Sequence, residues 1–461
     1  MSQISIFDGS RQFKLNKPIR LIELFAGYGS QSLALQYLGV DFESWKICEW
    51  AVKSIQAYKD IHFDKDNTDY SDGHSKEYIL NRLLRWGISS NYNEPMTKQQ
   101  IMRLGEEKQR TIFNNIKATH NLVNIQQVNG SDLEIVDTDK YCYVMTYSFP
   151  CQDLSRAGKC KGMAKDSGTR SGMLWEVERI LDECLVANSL PQVLLMENVP
   201  DVIGTKNIGH FSNWIAKLEW LGYKNKWQVL NAKDYGIPQN RERCFMVSIL
   251  GDYYYDFPKE IKNQADLLEL LDDIVDEKYY LSDKAITGKL DTNFCTNKLE
   301  NIIPKAGIVP TLLARDYKDP KCIIEIVDNK SRSTLKKELC KRLVNSGLLN
   351  IGTVINHSYT NGLNGKNPQS RQNLEDYIER QDGICCCLTT RPDTLGVTVF
   401  DDDKLSLRIR KLTPKECFRL MGVKDKDFAK VERSQSNSSL YHLAGDSIVV
   451  DVLMAIFKKM L

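Results

Sequence analysis

The stretch Ile19–Gly39 (IRLIELFAGYGSQSLALQYLG) decides the predicted fold. Its first part, Ile19–Phe25, is a short apolar run that predicts a β-strand. Gly27 and Gly29 follow, and residues without a Cβ atom let the backbone turn sharply and approach a ligand closely. The next residues, Gln31–Leu38, predict a helix that ends at the final glycine. Strand, glycine turn and helix begin a nucleotide-binding α/β unit, although such a pair of glycines also occurs in ordinary turns.

The next predicted strand leads to an acidic residue at the distance expected for ribose binding. Phe42–Cys48 predicts this strand, and Glu49 and Trp50 follow it directly. Glu49 comes about 20 residues after the glycine turn, where an acid binds ribose hydroxyls in such folds. Ser32 stands where the dinucleotide fingerprint has its third glycine. This difference argues against NAD and favours an adenosyl ligand without a pyrophosphate.

A proline–cysteine pair follows a strand that we expect to be buried on both faces. Tyr141–Thr146 is the apolar run, and the chain continues as Tyr147-Ser148-Phe149-Pro150-Cys151-Gln152. Ligands bind at the carboxyl ends of the strands in open α/β sheets, so Cys151 is a candidate nucleophile. The Gly-, Lys- and Ser-rich stretch Ser155–Gly172 is a candidate lid. Judged by position alone, a free cysteine is more often inert packing.

Two more stretches place polar side chains at this edge of the predicted sheet. Val193–Met196 predicts a buried strand followed by Glu197, and burial would raise the pKa of that carboxyl and suit it to share a proton. The alternative is an N-cap for the next helix. In Gln239-Asn240-Arg241-Glu242-Arg243, the two arginines would point to the same face of an extended chain. The alternative there is a solvated entry to a strand.

Length and composition predict a two-domain globular protein in a reducing compartment. The chain has 461 residues, 42% hydrophobic and 26% charged, with a net charge of +2. Its 13 cysteines form no paired framework, and the run Cys385–Cys387 predicts strand packing and no metal site. The polar start of the chain lacks a signal-peptide core, and no apolar run approaches about 20 residues. We therefore expect a cytoplasmic protein that does not contact membranes.

The polar, lysine-rich residues 60–126 look like an insertion with helices at Tyr78–Trp86 and Lys98–Ile116, and we find no chemistry in them. The sheet is expected to resume at Asn124–Val128, followed by the acidic Asp132.

Residues 251–404 change to short, broken periodicity with many turn residues, which predicts a mixed-β second domain. Within it, Gly307–Arg315 and Gly383–Arg391 match at several offsets and predict two similar loops that present Thr and Arg side chains.

The carboxyl-terminal part contains two helix signals. Thr413, Pro414 and Glu416 have the pattern of an N-cap, a first-turn proline and a capping box, and Gly422 marks the stop. Ala444–Ser447 is expected to open a last helix whose apolar residues lie on one face.

In this order the stretches resemble the motifs of the cytosine-C5 DNA methyltransferase family. The resemblance rests on FAGYG (Phe25–Gly29), CEW (Cys48–Trp50), Pro150-Cys151-Gln152, Glu197-Asn198-Val199, Gln239–Arg243, LTPKECFRLMG and AGDSIVV. It implies an α/β, Rossmann-like, S-adenosylmethionine-dependent fold with a smaller inserted target-recognition domain. The implied division is a catalytic domain at residues 17–250, a recognition domain at 251–404, and a segment at 405–461 whose last helix packs back beside the first.

The resemblance also assigns roles to individual residues. The implied catalytic residues are Cys151, Glu197, Gln239, Arg241 and Arg243. The implied contacts to S-adenosylmethionine are Phe25, Gly27, Gly29, Glu49, Trp50, Asp132, Pro150, Leu174, Asp446 and Ser447. The expected DNA contacts are Gln152, Ser155, Thr311, Arg315, Thr389 and Arg391. Duplex DNA, with the target cytosine flipped out, is the implied substrate. The enzyme is expected to be a monomer, and a restriction endonuclease acting on the same site is an open partner.

The sequence departs from the family pattern at two places. Gly445-Asp446 replaces the usual Gly-Asn of the last motif. The Thr-Leu pair expected before LTPKEC reads Cys387-Leu388, whereas Thr311-Leu312 has these letters further upstream, and the sequence does not choose between them. Three other functions are alternatives to DNA cytosine methylation. A transfer-RNA cytosine methyltransferase would need only a small recognition region, a non-catalytic DNA-binding relative should have lost one of the catalytic residues, and a cysteine hydrolase would need a histidine partner.

Overall fold

The structure is a computed structural model, and it describes residues 11–150, 154, 163, 165, 170–261, 267–280, 302–304, 309–314, 316–317, 321–328, 355–356, 395–396 and 405–461. The strands in these ranges are β1 (Arg11–Gln12), β2 (Ile19–Leu24), β3 (Phe42–Cys48), β4 (Cys142–Tyr147), β5 (Val193–Asn198), β6 (Tyr223–Asn231), β7 (Gln239–Asn240), β8 (Glu242–Leu250), β9 (Tyr253–Tyr254), β10 (Ile302–Pro304), β11 (Val309–Pro310), β12 (Cys322–Asp328), β13 (Ile355–Asn356), β14 (Leu395–Gly396) and β15 (Leu405–Lys411). The helices are α1 (Ser30–Leu38), α2 (Val52–His62), α3 (Lys76–Trp86), α4 (Lys98–Arg103), α5 (Glu106–Ala118), α6 (Leu174–Val186), α7 (Ile208–Trp220), α8 (Pro414–Arg419), α9 (Asp425–Glu432), α10 (Asn437–Asp446) and α11 (Val450–Met460).

A six-stranded sheet with the order β3-β2-β4-β5-β8-β6 organises residues 19–250. β2 pairs in parallel with both β3 and β4, and β4 pairs in parallel with β5. β8 is antiparallel to its neighbours β5 and β6. The strand order reverses at β2, because β3 lies on one side of it and β4 on the other. The carboxyl ends of β2 and β4 therefore border the crevice where such sheets bind ligands.

Alternation along the strands gives the sheet two apolar faces. Leu21 and Val144 belong to one core, which also contains the buried residues of α1 and α11. Ile22 and Met145 belong to the other, with the buried residues of α6 and α7. Neighbouring residues of a strand point to opposite faces, so helices cover the sheet on both sides. The predicted α/β class is confirmed by this arrangement.

Most of the predicted elements are present. The strands at Ile19, Phe42, Tyr141 and Val193, and the helix that ends before Gly39, lie within one or two residues of their predicted bounds. The capping box of α8 is also confirmed, because Thr413 accepts a hydrogen bond from the Glu416 amide and Glu416 from the Thr413 amide.

Two predictions about local structure are wrong. Ile125–Gln127 forms a turn of 3-10 helix in place of a strand, because the Asn124 side chain accepts the Gln126 amide and closes a tight turn. Ala444–Asp446 ends α10 and does not open the last helix, which begins at Val450. The apolar face predicted for that last helix is nevertheless buried against the core.

The apolar core that contains α1 and α11 continues beyond residue 250. Leu267, Val309 and Leu312 are buried in the same core as α1 and α11. β11 pairs with β7, and β15 pairs with β12 in a small sheet of order β10-β12-β15. The division at 250/251 remains a prediction about the recognition region, most of which lies outside the described residues.

Asn437–Met460 is long and apolar enough by composition to cross a membrane. Most of this stretch is buried inside the fold, and it is broken at Ser447 into α10 and α11. It is therefore part of the core. A hydrogen bond from the Leu15 amide to the Met460 carbonyl, 2.6 Å long, joins the end of α11 to the segment before β2.

Candidate functional site

A cavity of about 430 Å³ opens at the carboxyl ends of β2, β3, β4 and β5. Four chain regions that are far apart in sequence line it: the glycine turn with Glu49 and Trp50, a loop of the insertion, the ends of β4 and β5 with the arginines near β8, and the end of α10. This volume suits a small organic ligand of the size of a nucleoside derivative.

Glu49 organises one side of the cavity. Its carboxylate accepts hydrogen bonds from the Gly27 amide (3.0 Å) and the Ala51 amide (2.7 Å), and so connects the glycine turn to the end of β3. Burial is the main reason that its pKa is raised to about 7, and the Asp446 carboxylate raises the pKa further. Phe25 and Trp50 flank this acid in the lining. Phe25 has φ 59°, a strained conformation that concentrates at ligand sites.

The insertion supports this side, although the sequence showed no chemistry in it. Asn121 holds the backbone of Glu49 from both sides, accepting from its amide at 3.0 Å and donating to its carbonyl at 2.9 Å. The Ser89 amide donates to the Trp50 carbonyl, and the Val52 amide donates to the Ser89 carbonyl. The Glu49 turn is thus held in place by residues from the middle and from the carboxyl-terminal part of the insertion.

A preformed loop of the insertion is one wall of the cavity. Tyr92, Asn93, Glu94 and Pro95 line it. The fully buried Ser89 accepts the Tyr92 amide at 3.1 Å and donates to the Glu94 carbonyl at 2.7 Å, which holds Tyr92 at φ 63°. Sequence reasoning missed this wall, and the run Asn91-Tyr92-Asn93-Glu94-Pro95, rich in turn residues, was the signal that marked a loop.

Tyr92 connects the insertion to the carboxyl-terminal helices. Its ring stacks on His442, with centroids 4.4 Å apart and planes 16° apart, and its hydroxyl lies 3.3 Å from that of Ser54. Nδ1 of His442 is 3.3 Å from Oδ2 of Asp446, which lines the cavity. Three regions remote in sequence therefore meet at this wall.

Asp132 and Leu174 lie outside the described lining of the cavity. The Asp132 carboxylate accepts the Asn129 amide at 2.8 Å and caps a short 3-10 helix. Leu174 is fully buried in the core under α6. The placement of these two residues does not support their predicted cofactor contacts. Asn124, Ile125 and Gln126 line the cavity instead, and Arg179 of α6 holds this turn by donating to the Ile125 and Val128 carbonyls.

Glu197 and Arg243 form an ion pair on the opposite side of the cavity. Nε of Arg243 lies 3.1 Å from Oε1 of Glu197, and both side chains are largely buried. Burial raises the pKa of Glu197, and the charges of Arg243 and Arg241 act against that rise. Glu197 is the fifth residue of β5, so the strand itself positions the carboxyl and no helix cap is involved.

The backbone that leads to Cys151 is fixed by two side chains. The Asn198 amide group donates to the Phe149 carbonyl at 3.0 Å, and the Ser171 hydroxyl donates to the Pro150 carbonyl at 2.8 Å. Pro150 lines the cavity. Cys151, Gln152, Ser155, Arg315, Thr389 and Arg391 lie outside the described residues, as does most of the candidate lid.

Gln239 and Arg241 connect the chain segments around the site through hydrogen bonds to their backbone. Gln239 is fully buried, donates to the Leu420 carbonyl and accepts the Leu312 amide. Arg241 also borders the cavity, but its guanidinium donates to the carbonyls of Leu312, Gly445 and Ser447. These contacts position the surrounding chain, and the catalytic roles of both residues stay predictions.

Thr311-Leu312, one of the two candidate pairs, contacts the residues around this site. Thr311 donates through its hydroxyl to the Asn240 carbonyl at 2.6 Å, and Leu312 contacts Gln239 and Arg241. Cys387-Leu388 lies outside the described residues.

Close packing explains two of the glycines in the motifs. A Cβ atom at Gly29 would collide with His62 and Tyr58, and one at Gly445 would collide with the backbone of Leu313 and Ala314. Gly27 has open space beside it and φ 56°, so its conformation and not its packing requires glycine. The Ser447 hydroxyl donates to the Ala444 carbonyl, which makes Ser447 part of the end of α10.

Comparison with known proteins matches the chain to one family. Residues 96–461 match the family model for C-5 cytosine-specific DNA methylase. The chain is 30% identical to the Type II methyltransferase M2.ScrFI of Lactococcus lactis subsp. cremoris, over 96% of this chain and 99% of the relative. It is 38% identical to the orphan methyltransferase M.SssI of Spiroplasma monobiae, over 58% of this chain and 68% of the relative. The solved structure of the Entamoeba histolytica methyltransferase EhMeth has the same fold, with a TM-score of 0.54 and 13% identity over 96% of this chain and 98% of that one.

Proposed function

The chain belongs to the C-5 cytosine-specific DNA methylase family, whose members use S-adenosylmethionine, and from this premise we propose that it methylates carbon 5 of a cytosine in a specific sequence of duplex DNA. One observation carries the proposal: the Glu49–Gly27 contact and the Glu197–Arg243 ion pair line the same cavity. A proposed cofactor side and a proposed base side would then share one cavity.

The residues present fit S-adenosylmethionine. Bound there, it supplies a methyl group made electrophilic by the neighbouring sulfonium. The Glu49 carboxylate suits the ribose hydroxyls, and Phe25 and Trp50 provide apolar surface for the adenine ring. Asn124, which lines the cavity, is the proposed polar partner of the adenine edge.

The proposed reaction begins with Cys151. Its thiolate forms a bond to carbon 6 of the cytosine, and the electrons of the 5,6 double bond become available at carbon 5. Carbon 5 takes the methyl group as the bond from methyl to sulfur breaks. A base then removes the hydrogen on carbon 5, the bond from sulfur to carbon 6 breaks, and the thiolate is regenerated.

Glu197 is proposed to share a proton with N3 of the cytosine during the attack. Burial raises the pKa of this carboxyl and so favours its protonated form, which supports that role. Arg243 orients the carboxyl and is proposed to hold the carbonyl oxygen of the base. Asn198 and Ser171 fix the two carbonyls before Cys151 and so set the direction in which the chain enters the catalytic loop.

Access to the base requires that the cytosine leave the helix, since the ring faces are covered in a duplex. We propose that residues 251–404 read the target sequence, with Gln152, Ser155, Thr311, Arg315, Thr389 and Arg391 among the DNA contacts. The protein is proposed to act as a monomer in the cytoplasm. A cognate restriction endonuclease is an open partner, because the relatives include both a type II and an orphan methyltransferase.

The test is methyl transfer to DNA. Full-length protein is incubated with unmethylated genomic DNA and S-adenosylmethionine carrying a labelled methyl group, and the product is sequenced after bisulfite treatment. We expect label in DNA and protected cytosines in one short sequence context. Label only in transfer RNA would replace the proposal with the transfer-RNA enzyme, and no label with cofactor still bound would indicate a non-catalytic relative.

A further inference from the structure

Asp446 is an acidic residue in a place that is electrostatically unfavourable for an acid. It is the last residue of α10, where the unpaired carbonyls of the helix carry partial negative charge. Its side chain is 47% exposed and projects into the cavity. An acid that a helix end disfavours, turned toward a binding cavity, indicates a role in ligand recognition.

Carboxylates outnumber guanidiniums among the described residues that line the cavity. Glu49, Glu94, Glu197 and Asp446 face Arg241 and Arg243. Arg243 is paired with Glu197, and Arg241 donates to three backbone carbonyls. The lining therefore carries more acidic than basic side chains, although Arg241, Arg243 and His442 offset part of the charge of Asp446, and it suits a cationic ligand.

Asp446 lines the cavity together with Glu49 and Arg243, and its Oδ2 lies 3.3 Å from Nδ1 of His442. Its charge acts on Glu49, on the proposed cofactor side, and it interacts electrostatically with Arg243, on the proposed base side. A sulfonium bound between these two sides would lie within the electrostatic reach of the Asp446 carboxylate.

We propose that Asp446 makes the enzyme select the cationic, methylated cofactor over its neutral, demethylated product. The inference rests on the proposed use of S-adenosylmethionine in this cavity. Methyl transfer converts the sulfonium into an uncharged thioether, so the attraction to the carboxylate is present before the reaction and absent after it. Asp446 would thus assist product release and limit product inhibition.

The test compares three ligands by isothermal titration calorimetry on the full-length protein. S-adenosylmethionine has a sulfonium, sinefungin has a protonated amine on carbon at the same position, and S-adenosylhomocysteine is neutral there. For Asp446→Asn we expect the Kd of both cationic ligands to rise about tenfold, while the Kd of the neutral product changes less than about twofold. Asp446→Glu, which keeps the charge, should retain part of the preference.

Glu432→Gln is the matched control. Glu432 is the last residue of α9, is exposed, and lies outside the described lining of the cavity, so this variant removes the same charge from the same kind of helix end. All three affinities should stay at the wild-type values. An equal change for the three ligands in Asp446→Asn, or no change, would overturn the inference.

The wild-type protein gives a second test that needs no variant. Added salt should weaken binding of the two cationic ligands more than binding of the neutral product, because salt screens the attraction to the carboxylate. Equal salt dependence for all three would overturn the inference. Wild-type protein that binds none of the three, or transfers no methyl group, would refute the proposed function itself, whereas active protein with unselective binding refutes only the role of Asp446.

Discussion

Arg243 lies with its Nε atom 3.1 Å from Oε1 of Glu197, at the end where the antiparallel strands β5 and β8 enter the cavity. Strand pairing places Glu197 opposite Phe245, so Arg243, two residues away along β8, is its diagonal neighbour on the same face. Burial favours the protonated carboxyl and the guanidinium favours the ionised one, and burial prevails, so the pKa of Glu197 is raised.

Glu197→Gln should lower the rate of methyl transfer by about a hundredfold to a thousandfold, since loss of a general acid typically costs this much. Glutamine preserves the shape but cannot donate an acidic proton to N3. Single-turnover transfer of labelled methyl to a DNA duplex measures the effect, and cofactor affinity should be unchanged. Glu219→Gln, on the exposed face of α7, is the control. A rate near that of the wild type in Glu197→Gln would rule out the proton-sharing role.

The neighbouring arginines should separate stability from catalysis. Arg241→Met leaves the carbonyls of Leu312, Gly445 and Ser447 without this donor and should lower the free energy of unfolding by about 3 kcal/mol, measured by urea denaturation. Arg243→Met should lower the methyl-transfer rate strongly and stability by less than Arg241→Met, because the buried Glu197 carboxyl can take up a proton once the guanidinium is gone. If the two variants show the reverse pattern, the roles assigned to them here are exchanged.

Tyr92→Ala should raise the KM for S-adenosylmethionine about tenfold, because one wall of the cavity and its stack on His442 are lost together. The kcat at saturating cofactor and the KM for DNA should stay within about twofold. Tyr92→Phe keeps the ring and should behave as the wild type.

The insertion offers a closely matched control for that variant. Tyr78 stacks on His74 with centroids 4.3 Å apart and planes 16° apart, almost the geometry of Tyr92 on His442, but it is not in the described lining of the cavity. Tyr78→Ala should leave the KM for the cofactor unchanged. Equal effects of the two alanine substitutions would show that Tyr92 acts only through the stability of the insertion.

Glu49 should make stability depend on pH. A carboxyl with a raised pKa in the folded state stabilises the fold below its unfolded pKa, and that contribution is lost as the pH rises to the folded value. The pKa of Glu49 rises from 4.5 to about 7. Relative to Glu49→Gln, the wild-type free energy of unfolding should therefore fall by about 3 kcal/mol from about pH 4.5 to pH 7 and stay level above it. A difference that does not change with pH would contradict this pKa.

Much of the catalytic frame could be predicted because its signals are local. The strands at Ile19 and Val193 are short apolar runs with polar residues at their ends, and α8 carries its capping box within four residues. Glu49 and Glu197 were identifiable because each follows or ends such a strand, and strand ends meet at one edge of a parallel sheet.

The remaining features depend on contacts that the local sequence does not encode. Asn, Asp and Ser favour both helix starts and helix ends, so the pattern at Ala444–Ser447 predicts a helix start where the structure has a helix end. Asn124 lies near the end of the insertion and Asp132 just after it, and only the folded structure shows that Asn124 lines the cavity. The stack of Tyr92 on His442 joins residues 350 positions apart, beyond any periodic pattern.

The packing of α11 on α1, and of Gly445 and Asp446 against the cavity, has a consequence for protein synthesis. These carboxyl-terminal pieces leave the ribosome after the glycine turn, Glu49 and the Pro150-Cys151 sequence have already been made. A nascent chain would therefore have its nucleophile before it has a closed cofactor cavity. Synthesis of α10 and α11 would then complete the cofactor cavity, and a chain cut short before Gly445 would lack one wall of it.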